Sequence, residues 1–378
     1  QLPWKKEVAW LCADLIMDGV PVIHSPREVL KSVTEQAMVS GYVLKTGVEC
    51  EFFLLDDKTK GIVKIQKLKI SKPRTKLPLK LADKHDTQTK PCYDQQALMR
   101  QYDFISEICN YMQDMGWNPY QNDHEDGNGQ FEMNWEYADC LTTANRHAFF
   151  KFMLRSVAEK HGLRASFMPK PFAGITGSGC HIHFSLWDKS SKKNLFIDKK
   201  GEMGLSNLAY NFLGGVLDNA SALCAITNPT VNSYKRINAQ VTSSGSTWSP
   251  NSISYSGNNR THLVRIPDND RFELRLPDGA ANPYLLPAVL LAAGLDGIRE
   301  KKSAGKRLDN NMYTNPPADA KKLPQTLHEA LNNLDKSKIL RNIMGQEFID
   351  SYLKLKRGEW SSYMGSISEW EQKNYLDV

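Results

Sequence analysis

Three short segments place chemically useful side chains at alternating positions. Glu49 and Glu51 stand two apart in VECEFFLL, His181 and His183 in CHIHF, and Arg271, Glu273 and Arg275 in RFELR. On a β-strand, residues i and i+2 project to one face, so each segment would present its set together. A fourth segment, EDGNGQFE, sets Glu125 and Glu132 on either side of a glycine-rich turn that can bring the two carboxylates close. Inward-facing carboxylates gathered around a histidine repel one another unless a cation neutralises them. Oxygen donors with one imidazole suit Mg2+ or Mn2+ better than zinc. Arginines alternating with a carboxylate suit bidentate contact to phosphate or carboxylate groups. Together these parts describe metal-assisted phosphoryl transfer, in which cations and arginines take up the charge of the transferred group.

Each motif alone has a plainer reading. A Glu-x-Glu pair fits a solvated strand face, a His-x-His pair fits a structural role, and RFELR fits an edge-strand charge pattern. Their joint presence in one chain favours the metal site, although spacing does not say which metal enzyme it serves.

The elements that must hold these residues follow from periodicity and punctuation. VAWLCAD and the residues after MDG read as two short strands around an Asp18-Gly19 turn, and a helix runs from Glu28 to about Ser40, ended by Gly41. VLKTGVECEFFLL reads as one strand, as do FEMNWEY, GCHIHFSLWD, THLVRIP and RFELRLPDG, the last two joined at Asn269-Asp270. Helical spacing covers Met99 to Trp117, Asn145 to His161 and Ser206 to Ile226, and then residues 284–300, 325–335 and 338–358. Long connections between strands and helices, without regular βαβ spacing, indicate an α+β fold.

The bulk numbers narrow the class. A chain of 378 residues can bury a large core in two or three domains. Its net charge of +6 comes from one stretch, residues 58–90, with eleven Lys/Arg against Asp83 and Asp86, so the body is slightly acidic. The stretch lacks the aromatic interleaving of a single-strand nucleic-acid surface and reads as a solvated loop; no nucleic-acid partner is expected. The longest apolar run, Tyr284 to Leu295, contains Pro287 and falls short of the ~20 residues of a membrane span, so no membrane partner is expected either. Seven widely spaced cysteines without a CxxC pair point to a reducing, cytoplasmic setting.

The ordered series VECEFFLL, DHEDGNGQFEMNW, GSGCHIHFSLWD, NPTVNSYKR, NNRTHLVRIP and RFELRLPDGAANPYL resembles the glutamine synthetase family over almost the whole chain. FMPKPF, SYKRINA and LDNNMYT resemble its type III glutamate–ammonia ligase branch, a near relative of the γ-glutamylmethylamide synthetases. The resemblance implies a curved antiparallel sheet with flanking helices over residues 26–378, preceded by a remnant of an N-terminal β-grasp domain in residues 1–25. It implies one metal on Glu51, Glu125 and Glu132 and a second on Glu49, His181 and Glu273. Glutamate would lie along Gly177, with its carboxylates on Arg236 and Arg275. Arg260 and Arg265 would face the phosphates of ATP, and His183, Ser185 and Arg271 the nucleotide. ATP would convert the γ-carboxylate of glutamate to an acyl phosphate, which ammonia, or methylamine in the neighbouring branch, would displace to leave an amide. Self-association into rings, usually dodecamers, is implied as well.

This sequence departs from the family pattern in places. Thr242 stands where many relatives carry a flap glutamate that closes the ammonium site, and Asp268 stands where many carry a phosphate-facing lysine. Tyr313 aligns with a tyrosine that is adenylylated in some bacterial relatives, in different surroundings. A non-catalytic structural member of the family is the competing reading from another class, and six retained, mutually repelling ligands argue against it.

Overall fold

The run VLKTGVECEFFLL, expected as one strand, breaks at Glu51 into two that belong to different sheets. A computed structural model describes residues 1–56, 79–240 and 242–378, so the part of the basic stretch before Leu79 lies outside the described residues. Its strands are β1 (Ile16–Met17), β2 (Val20–Pro21), β3 (Tyr42–Cys50), β4 (Phe52–Asp56), β5 (Pro119–His124) and β6 (Gln130–Trp135). They continue with β7 (Ala138–Asp139), β8 (Leu163–Ser166), β9 (Cys180–Asp188), β10 (Tyr255–Ser256), β11 (Val264–Asp268) and β12 (Arg271–Leu274). A six-stranded sheet has the order β10-β11-β12-β9-β3-β7, and a four-stranded sheet the order β5-β6-β4-β8. Every described pairing is antiparallel except β10 with β11.

β3 and β9 pair in unbroken register from Tyr42 with Asp188 to Cys50 with Cys180, which sets Glu49 opposite His181. β12 pairs with β9 so that Glu273 faces His183. At the break, the Glu51 amide donates to the Gly179 carbonyl (3.2 Å). The chain then enters the four-stranded sheet, where Phe52 pairs with Phe131. Glu51 therefore sits at the seam between the sheets.

The core explains why the elements hold these places. Phe52, Phe104, Phe131 and Phe150 are fully buried, and the last three each meet Phe52, with Phe52–Phe131 centroids 6.1 Å apart. Phe184, Phe196, Phe212 and Phe272 form a second nucleus under β9 and β12, with centroids 5.2–6.3 Å apart. Edge and tilted contacts at these separations add to the area each ring buries. The helix Leu285–Arg299 crosses Asn207–Asp218 at very short range. A Cβ on Gly215 would stand 2.0 Å from the Ala293 carbonyl oxygen, and one on Gly297 would stand 2.1 Å from that of Asn211. Gly215 is thus explained by close helix packing, and its neighbour Gly214 by the chain after that helix, where a Cβ would stand 2.6 Å from the Lys302 carbonyl oxygen.

Several expected boundaries are corrected. VAWLCAD forms no strand; the hairpin begins at Ile16, with Asp18 and Gly19 in its turn at φ 51° and 80°. The helix expected over Met99–Trp117 is two, Gln95–Arg100 and Tyr102–Asp114. The second of these buries Phe104, Ile105, Ile108 and Met112 and leaves Tyr102 exposed. Ser206–Ile226 divides at Asn219, and 338–358 divides at Gly345, whose φ of 98° stops the first helix. The helix from Asn145 begins earlier, at Cys140, where the Asp139 side chain caps the Thr142 amide. Strands β5, β7, β8 and β10 were not foreseen. Among the described residues, no helix is long and apolar enough to cross a membrane.

Candidate functional site

The antiparallel registers bring Glu49, Glu51, His181 and Glu273 to one place at the sheet seam. His181 Nδ1 lies 3.1 Å from Glu49 Oε2, 3.8 Å from Glu51 Oε1 and 3.7 Å from Glu273 Oε1. Glu49 also meets His183 Nε2 at 2.7 Å. Glu51, His181 and Glu273 are buried. Two further carboxylates arrive from the four-stranded sheet: Glu132 on β6, accepting from Asn134 Nδ2 (2.9 Å), and Glu125 just past β5.

Ligand atoms fall into three overlapping sets within 4.8 Å: Glu49/Glu132/His181, Glu49/His183/Glu273 and Asp123/Glu125/Glu132. This grouping differs from the expected one. His183, expected on the nucleotide side, stands among candidate ligands. Asp123, which the sequence reading passed over, joins Glu125 and Glu132 where Glu51 was expected. Glu51 instead accepts from Gln130 Nε2 (2.6 Å) and the Gly179 amide (2.9 Å). Asp123 and Glu125 stand two apart at the end of a strand, so the alternation that found Glu49 and Glu51 would have found this pair.

The electrostatics are those of a carboxylate cluster short of positive charge. Burial, reinforced by Glu51, Asp123 and Glu49, pushes Glu125 well above the usual carboxylate range. Burial, together with Glu49, Glu125 and Glu51, does the same to Glu132. For Glu49, burial is outweighed by hydrogen bonds with His181 and His183, which hold it well below that range. Burial and the Arg275 charge lower His181. Its Nε2 is buried without a partner, and so are Nε of Arg236 and Nε of Arg275. An unsatisfied buried polar group costs about 1–3 kcal/mol, so three of them on residues of this site point to a ligand. Hard oxygen donors with a neutral imidazole fit a divalent cation.

The pH dependence has a definite sign. Without metal, the folded chain keeps protons on Glu125 and Glu132 that the unfolded chain releases above about pH 4.3. Their contribution to stability is full below that value and is lost as pH rises through their raised values. The depressed Glu49 acts oppositely, but only below the same value, so it does not cancel the trend. The melting temperature of the metal-free chain is therefore expected to fall as pH rises above the carboxylate range, and added Mg2+ to raise it most at the alkaline end. A melting temperature flat in both pH and Mg2+ would refute the cluster's charge imbalance.

Arginines border the cluster on two sides. Glu273 accepts from Arg265 Nη1 (2.7 Å) and from Arg275. Arg236 is fully buried and donates to the carbonyls of Leu276 (3.0 Å) and Arg275 (3.4 Å). Its side chain packs against Gly177, where a Cβ would stand 3.3 Å from Arg236 Cγ and 2.3 Å from the Pro169 carbonyl oxygen. Beside Glu49 opens a cavity of about 660 Å³ whose wall includes His183, Ser185, Arg260, Arg265 and Arg271. Across it the Lys45 ammonium stands 3.7 Å from the centre of the Trp187 ring, and Trp187 Nε1 donates to Ser185 Oγ (2.9 Å). Neither Lys45 nor Trp187 carries a signal that sequence spacing could single out.

The departures also have places. Asp268 pairs with Arg271 (2.7 Å) at the cavity wall, so it neutralises an arginine there. Thr242 is buried, its Oγ1 donating to the Ser246 carbonyl. Ser244 of the same segment, with Thr176 (2.9 Å), donates to the buried Asp126 next to Glu125. The Tyr313 hydroxyl is buried, and burial raises it, so it is a poor acceptor for modification.

Residues 24–375 match the family described as "Glutamine synthetase, catalytic domain". The chain is 55% identical over 380 residues to a glutamine synthetase of Rhizobium meliloti, spanning all of this chain and 83% of that protein. It is 42% identical over 383 residues to a glutamate–methylamine ligase of Methyloversatilis universalis, spanning all of this chain and 82% of that protein. A solved GmaS/ADP complex superimposes with a TM-score of 0.91 at 55% identity, covering all of this chain and 83% of that one.

Proposed function

The chain belongs to the glutamine synthetase family, and from that premise we propose how it works as an ATP-dependent ligase joining glutamate to an amine. The observation that carries the reading is adjacency: the cavity lined by His183, Ser185, Arg260, Arg265 and Arg271 opens directly on the carboxylate cluster through Glu49. ATP occupying it would direct its triphosphate toward Arg260 and Arg265, while Arg236 and Arg275 hold the carboxylates of glutamate beside Gly177. The cation, Mg2+ or Mn2+, would be held by Glu49, Glu51, Glu125, Glu132, His181 and Glu273, with Asp123 and His183 in reach, and when bound it would neutralise the transferring phosphoryl group. Arg265, already hydrogen-bonded to Glu273, is poised to follow the charge that develops on that group. The product of this half is γ-glutamyl phosphate; amine attack then releases phosphate and leaves the amide.

Ammonia is the acceptor we favour, giving glutamine. Methylamine is the second reading, supported by Thr242 in place of the flap carboxylate and by the likeness to GmaS. The reading extends to ring-shaped self-assembly, a dodecamer, for which exposed Ile16, Met17, Ile367 and Trp370 supply apolar contact surface. It also takes residues 1–25 as the end of an N-terminal domain and 26–378 as the catalytic domain, working in the cytoplasm. ADP release with glutamate, ATP and Mg2+ across a panel of amines tests this. Glutamate-dependent turnover with ammonium is expected; no turnover with any amine would overturn the ligase, and a higher kcat/KM with methylamine would reassign the acceptor.

A further inference from the structure

The strands that carry the candidate ligands have a second face. Cys50 lies between Glu49 and Glu51, and Cys180 precedes His181, so strand alternation turns both thiols away from the carboxylate cluster. The two cysteines are paired directly across β3 and β9. The Glu51 amide bonds to Gly179 and the Cys180 amide turns the other way, to Pro277, so the pair falls between ladder bonds, where antiparallel strands bring Cα atoms to about 4.5 Å. The helix Cys140–Lys160 covers this face, tied down by Thr143 Oγ1 donating to the Thr46 carbonyl (2.7 Å). One turn on, it delivers His147, whose Nε2 lies 3.8 Å from Cys180 Sγ. The two sulfurs and a ring nitrogen all lie within 4.8 Å of one another, and Cys50, Cys180 and His147 are at most 1% exposed. The thiols are free, and nothing in the proposed reaction uses them.

We propose that Cys50, Cys180 and His147 form a binding site for a thiophilic d10 cation of the Zn2+ kind, separate from the oxygen-lined cluster on the opposite face. Thiolate and imidazole donors bind such ions at about 2.3 Å and 2.0–2.1 Å, which sets neighbouring ligand atoms roughly 3.5–4 Å apart, in agreement with the His147–Cys180 separation. Two thiols would each release a proton and the imidazole would bind through Nε2. A dication with two thiolates is neutral, so the complex can sit in an apolar interior where a bare charge could not. Softness separates the two faces: carboxylates select Mg2+ or Mn2+, thiolates the thiophilic ion. Bound there, the ion ties β3, β9 and the helix together behind Glu49, Glu51 and His181. The inference stands whether or not the ligase reading holds.

The test uses the full reduced chain, with its exposed thiols blocked by N-ethylmaleimide in the folded state and excess Mg2+ present. Titration with Cd2+ is expected to produce a thiolate-to-cadmium charge-transfer absorption that saturates at a single equivalent, a signature no carboxylate or imidazole gives. Cys50→Ser and, independently, Cys180→Ala should abolish the band, and His147→Ala should weaken Cd2+ binding by at least about tenfold. Absence of the band in the wild-type chain, or an undiminished band in both cysteine variants, would overturn the site. Recovery of a Cys50–Cys180 disulfide without metal, from peptide mapping of unreduced protein, would overturn it as well, since it would assign the pair a redox role.

Discussion

Replacing Glu273 by alanine is expected to reduce glutamate-dependent ADP formation by roughly a thousandfold, the scale seen when a group that organises transition-state charge is removed. The side chain is fully buried, lies 3.7 Å from His181, and accepts from Arg265 and Arg275. Burial would raise its pKa, but Arg275 and the neighbouring histidines keep it lowered, so it is present as the anion the metal needs. Its loss does three things at once: a ligand disappears, Arg265 keeps only its hydrogen bond to Asn258, and Arg275 is left charged and buried without its partner. Removing one member of a buried ion pair costs about 3–5 kcal/mol of stability, so a fall in melting temperature should accompany the loss of activity. Glu273→Gln separates the effects, since it keeps the shape and loses the charge. Activity within tenfold of wild type in the alanine variant would refute the metal assignment.

The second large effect is expected from adding one methyl group. A Cβ on Gly179 would stand 2.7 Å from His181 Nε2, 2.9 Å from Glu51 Oε1 and 2.9 Å from Arg236 Nη2. The backbone there is not in the left-handed region, so alanine brings no conformational strain. The crowded atoms are the ends of three side chains assigned to metal and glutamate, and these, rather than the backbone, must move. The amide of residue 179 still donates to Glu51, so the fold should survive. Displacements of about 1 Å at reacting groups can cost a hundredfold. Gly179→Ala should therefore lose about that factor or more in kcat/KM for glutamate while its melting temperature changes little. Full activity with an unchanged KM for glutamate would show that nothing binds in this space.

Strand alternation made much of the site legible in advance. Glu49/Glu51, His181/His183 and Arg271/Glu273/Arg275 declare themselves as sets because a strand repeats every two residues, and their sets meet through the β3–β9–β12 registers. Local pattern was silent on what depends on partners far along the chain. The break at Glu51 has no glycine or proline to announce it; it arises because Phe52 pairs with Phe131 in the other sheet. The helix end at Gln101 was missed because glutamine is a good helix former, whereas Asn219, a residue type that favours caps, was legible and overlooked. Gln130, which orients Glu51, looks in the sequence like one more polar residue of a glycine turn. Asp123 was legible and overlooked; Trp187 and Lys45 were not, since their meeting depends on side-chain direction within the cavity.

The pairing of β3 with β9 also bears on the order in which the molecule is made. Glu49 meets His181 132 positions later, and Glu273 joins from further still. Glu49 and Glu273 stand 224 positions apart, and contacts of such long sequence separation are slow to close. Glu49, Glu51, Asp123, Glu125 and Glu132 all precede the histidines and arginines that balance them, so the carboxylates gain their positive neighbours only once β9 and β12 have been added. The complete site therefore requires β3, β9 and β12 to be paired, so a cation held there would bind a formed sheet rather than start one.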